Sequence, residues 1–370
     1  MKILTLTTQY ANNYGALLQC YALSRVLNRK SDIECQVLQY FPEGYNKSWT
    51  LWPPVNDFRS LFKNIYSLIR IDLVLVRLRK QKLIRKFISE YIPLTPIKYK
   101  RKEILAHPPK ADCYICGSDQ IWNFQFRIDF TFFLDFTYEN EKCKRMAYAP
   151  SIAVPWSDEQ SIMVKPYLER FHYLSIRENS NLEQVKSLVP YKDVQVVVDP
   201  VFLLDQSEWN KIAKPSPIGE PYIFCYFLSV SELAVETVKK LRELTGYKVV
   251  HLNLNALDKF NSDYEIRIAD PADFIGLIRN ASLICTNSFH CSAFSVIYKK
   301  NFCFIPKNMG NERVESLLQI FQLNNIFLSE KRLNNLSIDD LIIDYSKGEA
   351  SGKAFIEASK NYLFNAIYEK

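Results

Sequence analysis

A chain of 370 residues exceeds the roughly 250–300 over which a single hydrophobic core keeps growing, so two or more domains are expected. Apolar residues make up 48% and charged residues 24%, an ordinary balance for a globular protein, and only 9 Gly stand against 22 Tyr and 24 Phe. The net charge of +7 is modest, and Lys and Arg are mostly mixed with acids. That argues against a nucleic-acid-binding module and for an anionic substrate or an anionic surface.

Nine cysteines, an odd number, are scattered among apolar neighbours, as at Cys35, Cys225, Cys285 and Cys303. Reduced, buried thiols of a cytoplasmic protein fit this better than a disulfide frame. The first ten residues are too few and too polar for a signal peptide. No apolar run approaches the roughly 18 residues that a membrane span needs.

Residues 2–7 read as a first strand. A polar loop ending at Gly15 and an amphipathic helix follow, the opening of a Rossmann-like sheet. Gly15 lets a ligand come close to the backbone, but one glycine is not a dinucleotide fingerprint. A second strand is expected over 34–39. Residues 45–57 read as a loop and 60–92 as a long basic helix carrying Arg77, Arg79, Lys80, Lys82, Arg85 and Lys86. Its plainer role is a solvated face; its functional one is a cationic shelf on anionic lipid.

Residues 111–116 form the next expected strand, with Cys113 and Cys116 on opposite faces and therefore core. It ends in Gly-Ser-Asp-Gln-Ile-Trp-Asn, and polar residues at a strand's carboxyl end are where open α/β sheets hold ligands. Trp122 beside Asp119 and Gln120 suits a sugar held by stacking and hydrogen bonds; an N-cap is the plainer role for Asp119. Further strands are expected at 133–135, 144–149, 173–176 and 195–198, the last two leading into Arg177 and Asp199. The Pro-rich stretch 209–221 marks a domain boundary. It separates an N-terminal domain (1–208) from a C-terminal one (209–340) and a final segment (341–370) whose helix, from 352 onward, packs back on the first domain.

The second α/β series runs through a strand at 222–228, a helix at 231–245, a strand at 248–253 and a helix with Pro271 in its first turn. Residues 281–304 then give a short uncharged strand, Asn287 or Ser288 as N-cap, and a helix with His290 in its first turn. Free N–H groups and the helix dipole make such a start an anion site. An incidental histidine is the plain alternative.

Taken together, N-Y-G-A-L-L-Q-C-Y-A-L, C-G-S-D-Q-I-W-N, A-Y-A-P-S, S-I-R-E-N, V-D-P-V-F-L-L, D-F-I-G-L-I-R-N-A and T-N-S-F-H-C-S-A-F-S, in that order, resemble the polysaccharide pyruvyl transferase family over most of the chain. The resemblance implies two Rossmann-like domains in a GT-B-like arrangement with the site in their cleft. It also implies transfer of pyruvate from phosphoenolpyruvate onto two hydroxyls of a sugar, giving a cyclic ketal. The acceptor would be a glycan on a polyprenyl diphosphate, and the location cytoplasmic, peripheral at the inner membrane face where the basic helix meets lipid. On this reading Arg177 grips an anion bidentately, and His290 donates to phosphate and protonates the methylene carbon.

Family members with Arg-Leu-His hold phosphoenolpyruvate with both the Arg and the His. Here the matching residues are Ser288, Phe289 and His290, so a second cation is needed; Arg313 is the candidate, with Lys307 behind it. The plain alternatives are a surface position for Arg313 and an ion pair to Glu178 or another acid for Arg177. Asn13, Gly15, Asp119, Gln120 and Trp122 would form the acceptor side, with Asp119 taking the hydroxyl proton. No cofactor and no tightly bound metal are expected. The alternatives are a GT-B glycosyltransferase using a nucleotide sugar and a non-catalytic glycan-binding relative.

Overall fold

A computed structural model describes residues 1–44, 70–140, 142–254, 260–323 and 326–369. The loop expected at 45–57 and the start of the basic helix lie outside the described residues. Two parallel sheets carry the fold. The first orders β3 (Leu94–Tyr99), β2 (Glu34–Tyr40), β1 (Lys2–Leu6), β4 (Cys113–Cys116), β5 (Lys144–Ala147), β6 (Tyr173–Ile176) and β7 (Val194–Val196). The second orders β10 (Tyr264–Ile266), β9 (Lys248–Leu252), β8 (Tyr222–Tyr226), β11 (Leu283–Thr286) and β12 (Phe302–Phe304). Parallel sheets have both faces covered, so their central strands are apolar throughout; β4, β8 and β11 are buried at every residue.

The strand expected at 133–135 does not form. Phe130–Phe133 and Asp135–Thr137 are short 3-10 helices, with Leu134 between them at φ 61°. Asp129 caps the first through Thr131 N, and the rings fill an aromatic cluster instead of joining a sheet. Trp209 is also not in a linker. It sits on the helix Gln206–Ile212, fully buried, with its indole N–H donating to Val201 O at 3.1 Å and its ring edge-on to Phe294 at 4.8 Å. The break between the sheets therefore runs over 213–221. Of the six basic residues on the helix Ile71–Tyr91, Lys80 turns inward. Its ammonium lies 5.1 Å from the Tyr14 ring centroid, a cation–π contact, and burial pushes its pKa down to about 8.

One buried apolar cluster runs through both domains. Tyr14 stacks on Phe274 at 5.5 Å, and its hydroxyl donates to Ala269 O at 3.2 Å. Each large side chain buried here is worth about 1.5–3 kcal/mol, so the domains meet through a shared core. The final helix, Ser346–Tyr368, touches both: Lys144 Nζ donates to Ala366 O and Ile367 O at 2.8 and 2.9 Å, and Ser359 Oγ accepts from Val198 N. Gly348 and Gly352 bring it down onto Phe321 of the second domain. All nine cysteines are buried and free. No helix among the described residues is long and apolar enough to cross a membrane.

Gly276 shows how closely the interdomain strand of chain is packed: a Cβ there would lie 2.0 Å from Lys214 O. Alanine for glycine inside an exposed helix normally gains about 0.5–1 kcal/mol. At this position Gly276→Ala is expected to lose about 1–3 kcal/mol through overpacking. A lower urea midpoint bears that out; an unchanged or higher midpoint contradicts it.

Candidate active site

The carboxyl ends of the two sheets face each other, which is where open α/β folds place their ligands. From the first sheet come Thr8 after β1, Asp119 after β4, Arg177 after β6 and Asp199 after β7. From the second comes the helix Phe289–Ile297, which follows β11. Ser288 is its N-cap, with Oγ accepting from Cys291 N at 3.4 Å. Asn287 is spent locally: its side chain accepts from Leu228 N and donates to Ser229 O.

Asp199 ties these parts together. Its side chain is fully buried; Oδ1 accepts from Val201 N at 3.1 Å, while Oδ2 accepts from Arg177 Nη1 at 2.6 Å and Ser118 Oγ at 3.3 Å. His290 Nε2, from the other domain, stands 3.6 Å from the same Oδ2. Burial pushes the Asp199 carboxyl up, but His290 and Arg177 outweigh it and hold it well below the usual carboxylate range. Arg177 is thus ion-paired, as the plain alternative had it, though chiefly to Asp199; Glu178 Oε2 is 3.9 Å from its Nε. Glu178 serves the loop after β5, with Oε1 accepting from Ser151 Oγ, Ile152 N and Ala153 N.

Two N–H-bearing atoms of Arg177, Nε and Nη2, have no hydrogen-bond partner among the described residues although buried. The same holds for Arg313 Nε and His290 Nε2. Arg313 is not a surface residue. It is buried in the first turn of the helix Glu312–Ile320, and both guanidinium carbons approach the Phe289 ring, Arg177 at 4.5 Å and Arg313 at 6.0 Å. Burial, then the charge of Arg177, pushes Arg313 down to about 10, so it stays a cation at neutral pH. Burial, then the charge of Arg313, pushes Lys307 down to about 8. Buried donors left unpaired cost free energy unless a ligand meets them; cationic ones of this kind suit an anion.

The acceptor side is partly revised. Trp122 is fully buried, stacked on Phe133 at 4.8 Å, with Nε1 donating to Phe132 O at 3.0 Å. No face of it is left for a sugar; the aromatic cluster that displaced the expected strand has claimed it. Asp119 does not cap a helix. It sits at φ 68° with Oδ2 accepting from Thr8 Oγ1 at 2.9 Å, half-buried and facing the cleft. Gln120, turned with its amide oxygen to Arg313, accepts from Nη1 at 2.9 Å and Nη2 at 3.3 Å, so it bridges the two sides. Asn13 caps the helix Tyr14–Leu27 by accepting from Gly15 N and Ala16 N. Beside Asp119 the cleft opens into a cavity of about 380 Å³, walled by Thr8, Tyr10, Asn13, Asp119 and Phe126 and, from the other domain, Leu228.

Asp199, Ser118 and Phe289 were not singled out from sequence as site residues. For Asp199 the signal was present, an acid immediately after the apolar run at β7, at the same sheet edge as Arg177. Among the described residues no group of three or more His, Cys, Asp or Glu is placed to hold a metal ion.

Two Rossmann-like domains facing across a cleft define a GT-B-like fold. A UDP-GlcNAc 2-epimerase from Methanocaldococcus jannaschii is similar at 11% identity and a TM-score of 0.51, covering 97% of this chain and 100% of that one. A UDP-N-acetylglucosamine 2-epimerase is similar at 12% identity and a TM-score of 0.55, covering 100% of this chain and 96% of that one. These likenesses show the fold alone. No curated protein matches the sequence. The chain belongs to the polysaccharide pyruvyl transferase family, whose pattern matches residues 13–306. Membership makes it a transferase enzyme and implies a polysaccharide acceptor.

Gly15 offers a test of the site's geometry. A Cβ there would stand 2.2 Å from Cγ and Nδ1 of His290. Gly15→Ala is therefore expected to lose about 1–3 kcal/mol through overpacking while displacing the imidazole from Asp199. A lowered melting temperature with the chain still folded at 25 °C, and turnover reduced at least about 100-fold, is the expected pair of results; near-normal turnover contradicts the placement of His290.

Proposed function

We propose that this chain transfers pyruvate from phosphoenolpyruvate to two hydroxyls of a sugar in a polysaccharide precursor, forming a cyclic ketal and releasing phosphate. The observation that carries this reading is the pair of buried guanidiniums, Arg177 and Arg313, with unpartnered N–H groups next to His290. Phosphoenolpyruvate carries two anionic groups on one small carbon frame. Arg177 and Arg313 hold carboxylate and phosphate, and Lys307 adds charge behind them.

His290 protonates the methylene carbon, which leaves C2 electron-poor. The first sugar hydroxyl attacks C2 and gives its proton to Asp119. The second hydroxyl then closes the ring as the C2–O bond to phosphate breaks, and its proton leaves with the phosphate. The sugar gains one pyruvate less one water. Mass spectrometry after incubation with phosphoenolpyruvate, UDP-hexoses and a panel of lipid-linked mono- and disaccharides reads that gain. Addition of a hexose from a nucleotide sugar instead would overturn the proposal.

Arg313 stands in for the cation missing at Ser288. Charge-assisted hydrogen bonds are worth about 1.5–3 kcal/mol, so Arg313→Met is expected to weaken phosphoenolpyruvate binding roughly 10- to 150-fold. Calorimetric titration measures it, and unchanged affinity contradicts the role.

A pH dependence accompanies this. Lys307 is cationic below about 8 and loses its charge above it, while a bound anion raises its pKa. Affinity is therefore expected to be constant below that pH and to fall as pH rises past it, by up to about tenfold per unit. Lys307→Met should flatten the profile.

The acceptor's polyprenyl diphosphate and an anionic membrane surface complete the proposal. They are supported by one exposed stripe of the helix Ile71–Tyr91, on which Leu75, Leu78, Arg79, Lys82, Arg85 and Lys86 recur at helical spacing. Co-sedimentation with anionic liposomes should be lost on charge reversal at Arg79, Lys82 and Lys86. Retained binding excludes this surface.

A further inference from the structure

The segment from Trp122 to Phe133 is rich in aromatic rings, and nearly all of them are spent on packing. Phe124, Phe132 and Phe133 are buried, and Phe130 stacks on Tyr167 at 4.2 Å. Phe126 is the exception. It leaves 75% of its surface exposed, makes no ring contact among the described residues, and yet lines the cavity beside Asp119. Its backbone position is fixed by the turn it closes, with Phe126 N donating to Asn123 O at 3.2 Å and Gln125 N to Asn123 Oδ1 at 3.1 Å.

Around this bare ring the same cavity presents hydrogen-bonding groups of both kinds. Arg127 lines it and forms no ion pair among the described residues. Asp129 lines it too, with Oδ2 accepting from Tyr40 OH at 2.7 Å. Tyr10, stacked on Phe41 at 4.2 Å, adds a second aromatic surface to the wall. An apolar plate ringed by donors and acceptors matches a pyranose, whose C–H face is apolar and whose rim is hydroxyls.

We infer that Phe126 is the stacking platform of a carbohydrate subsite in this cleft, doing what Trp122 is too deeply packed to do. The inference rests on the pyruvyl-transfer reading only for naming the sugar as the acceptor; the platform itself stands on the cavity. It places the acceptor ring with its face on Phe126, its hydroxyls toward Arg127 and Asp129, and the reacting pair toward Asp119.

Saturation-transfer NMR on the full chain tests this, with methyl β-galactoside, methyl β-glucoside and methyl α-mannoside as probes and phosphoenolpyruvate in the same tube. At least one glycoside should be saturated most strongly on the C–H protons of one ring face. Phe126→Ala should reduce that signal roughly threefold to tenfold, and Phe126→Trp should keep it. The vinyl protons of phosphoenolpyruvate should stay saturated in every variant, since Phe126 is far more exposed than any core residue and its truncation leaves the fold intact. Glycosides that are not saturated, or are saturated equally by Phe126→Ala, overturn the platform. Glycosides held through Phe126 while phosphoenolpyruvate is not bound would uphold the platform and overturn the pyruvyl-transfer reading instead.

Discussion

The carboxylate of Asp199, buried and shared between Arg177 and His290, is the constraint on which the rest of the cleft depends. Taking charges out of water costs several kcal/mol each, and a buried pair recovers this only with good geometry and further hydrogen bonds. Asp199 has both: a short contact to Arg177, the Ser118 hydroxyl and a backbone N–H at Val201. Because Arg177 follows β6 and His290 opens a helix of the other sheet, this one side chain stands where the two domains meet. The shared apolar core around Tyr14 and Phe274 supports the same register from beneath. Gly15 is required where it is because the imidazole lies against its backbone.

That arrangement explains why the cleft suits an anion although acids line it. Asp199 occupies only part of the Arg177 fork. Among the described residues Arg313 forms no ion pair with a carboxylate; an amide oxygen, that of Gln120, is its hydrogen-bond partner. A neutral partner leaves the guanidinium's charge available, and Phe289 gives both arginines an apolar surface to lie on. Serine at 288 is consistent with this geometry. It caps the helix, and the buried cation Arg313 stands nearby on the helix Glu312–Ile320.

Much of the fold was legible because buried parallel strands leave a plain trace: short, uncharged, β-branched or aromatic runs such as β4, β8 and β11. Two of the edge strands left none. β3 carries Pro96 and Lys98, and β10 is three residues long, so neither stood out. The 133–135 segment misled for a different reason, since aromatic residues favour strands but here found ring partners across Trp122, Trp156 and Tyr167. The same cluster removed Trp122 from the site. The helix start that carries His290 and the strand that leads into Arg177 were readable from local pattern. The role of Asp199 was not, because what matters is its meeting with a residue of the other domain, which no local pattern encodes. Lys80 likewise sits in a basic run that looks solvated, yet it is buried with its ammonium beside the Tyr14 ring.

On the proposed reading, Arg177, Arg313 and His290 form one anion pocket across the domain boundary. A crystal structure of the chain with phosphoenolpyruvate bound tests it most directly. The expected structure has one anionic group on the Nε and Nη2 edge of Arg177, the other on Arg313, and the methylene carbon toward His290. Phosphoenolpyruvate held elsewhere, or held by Arg177 with Arg313 still engaged only by Gln120, would contradict it.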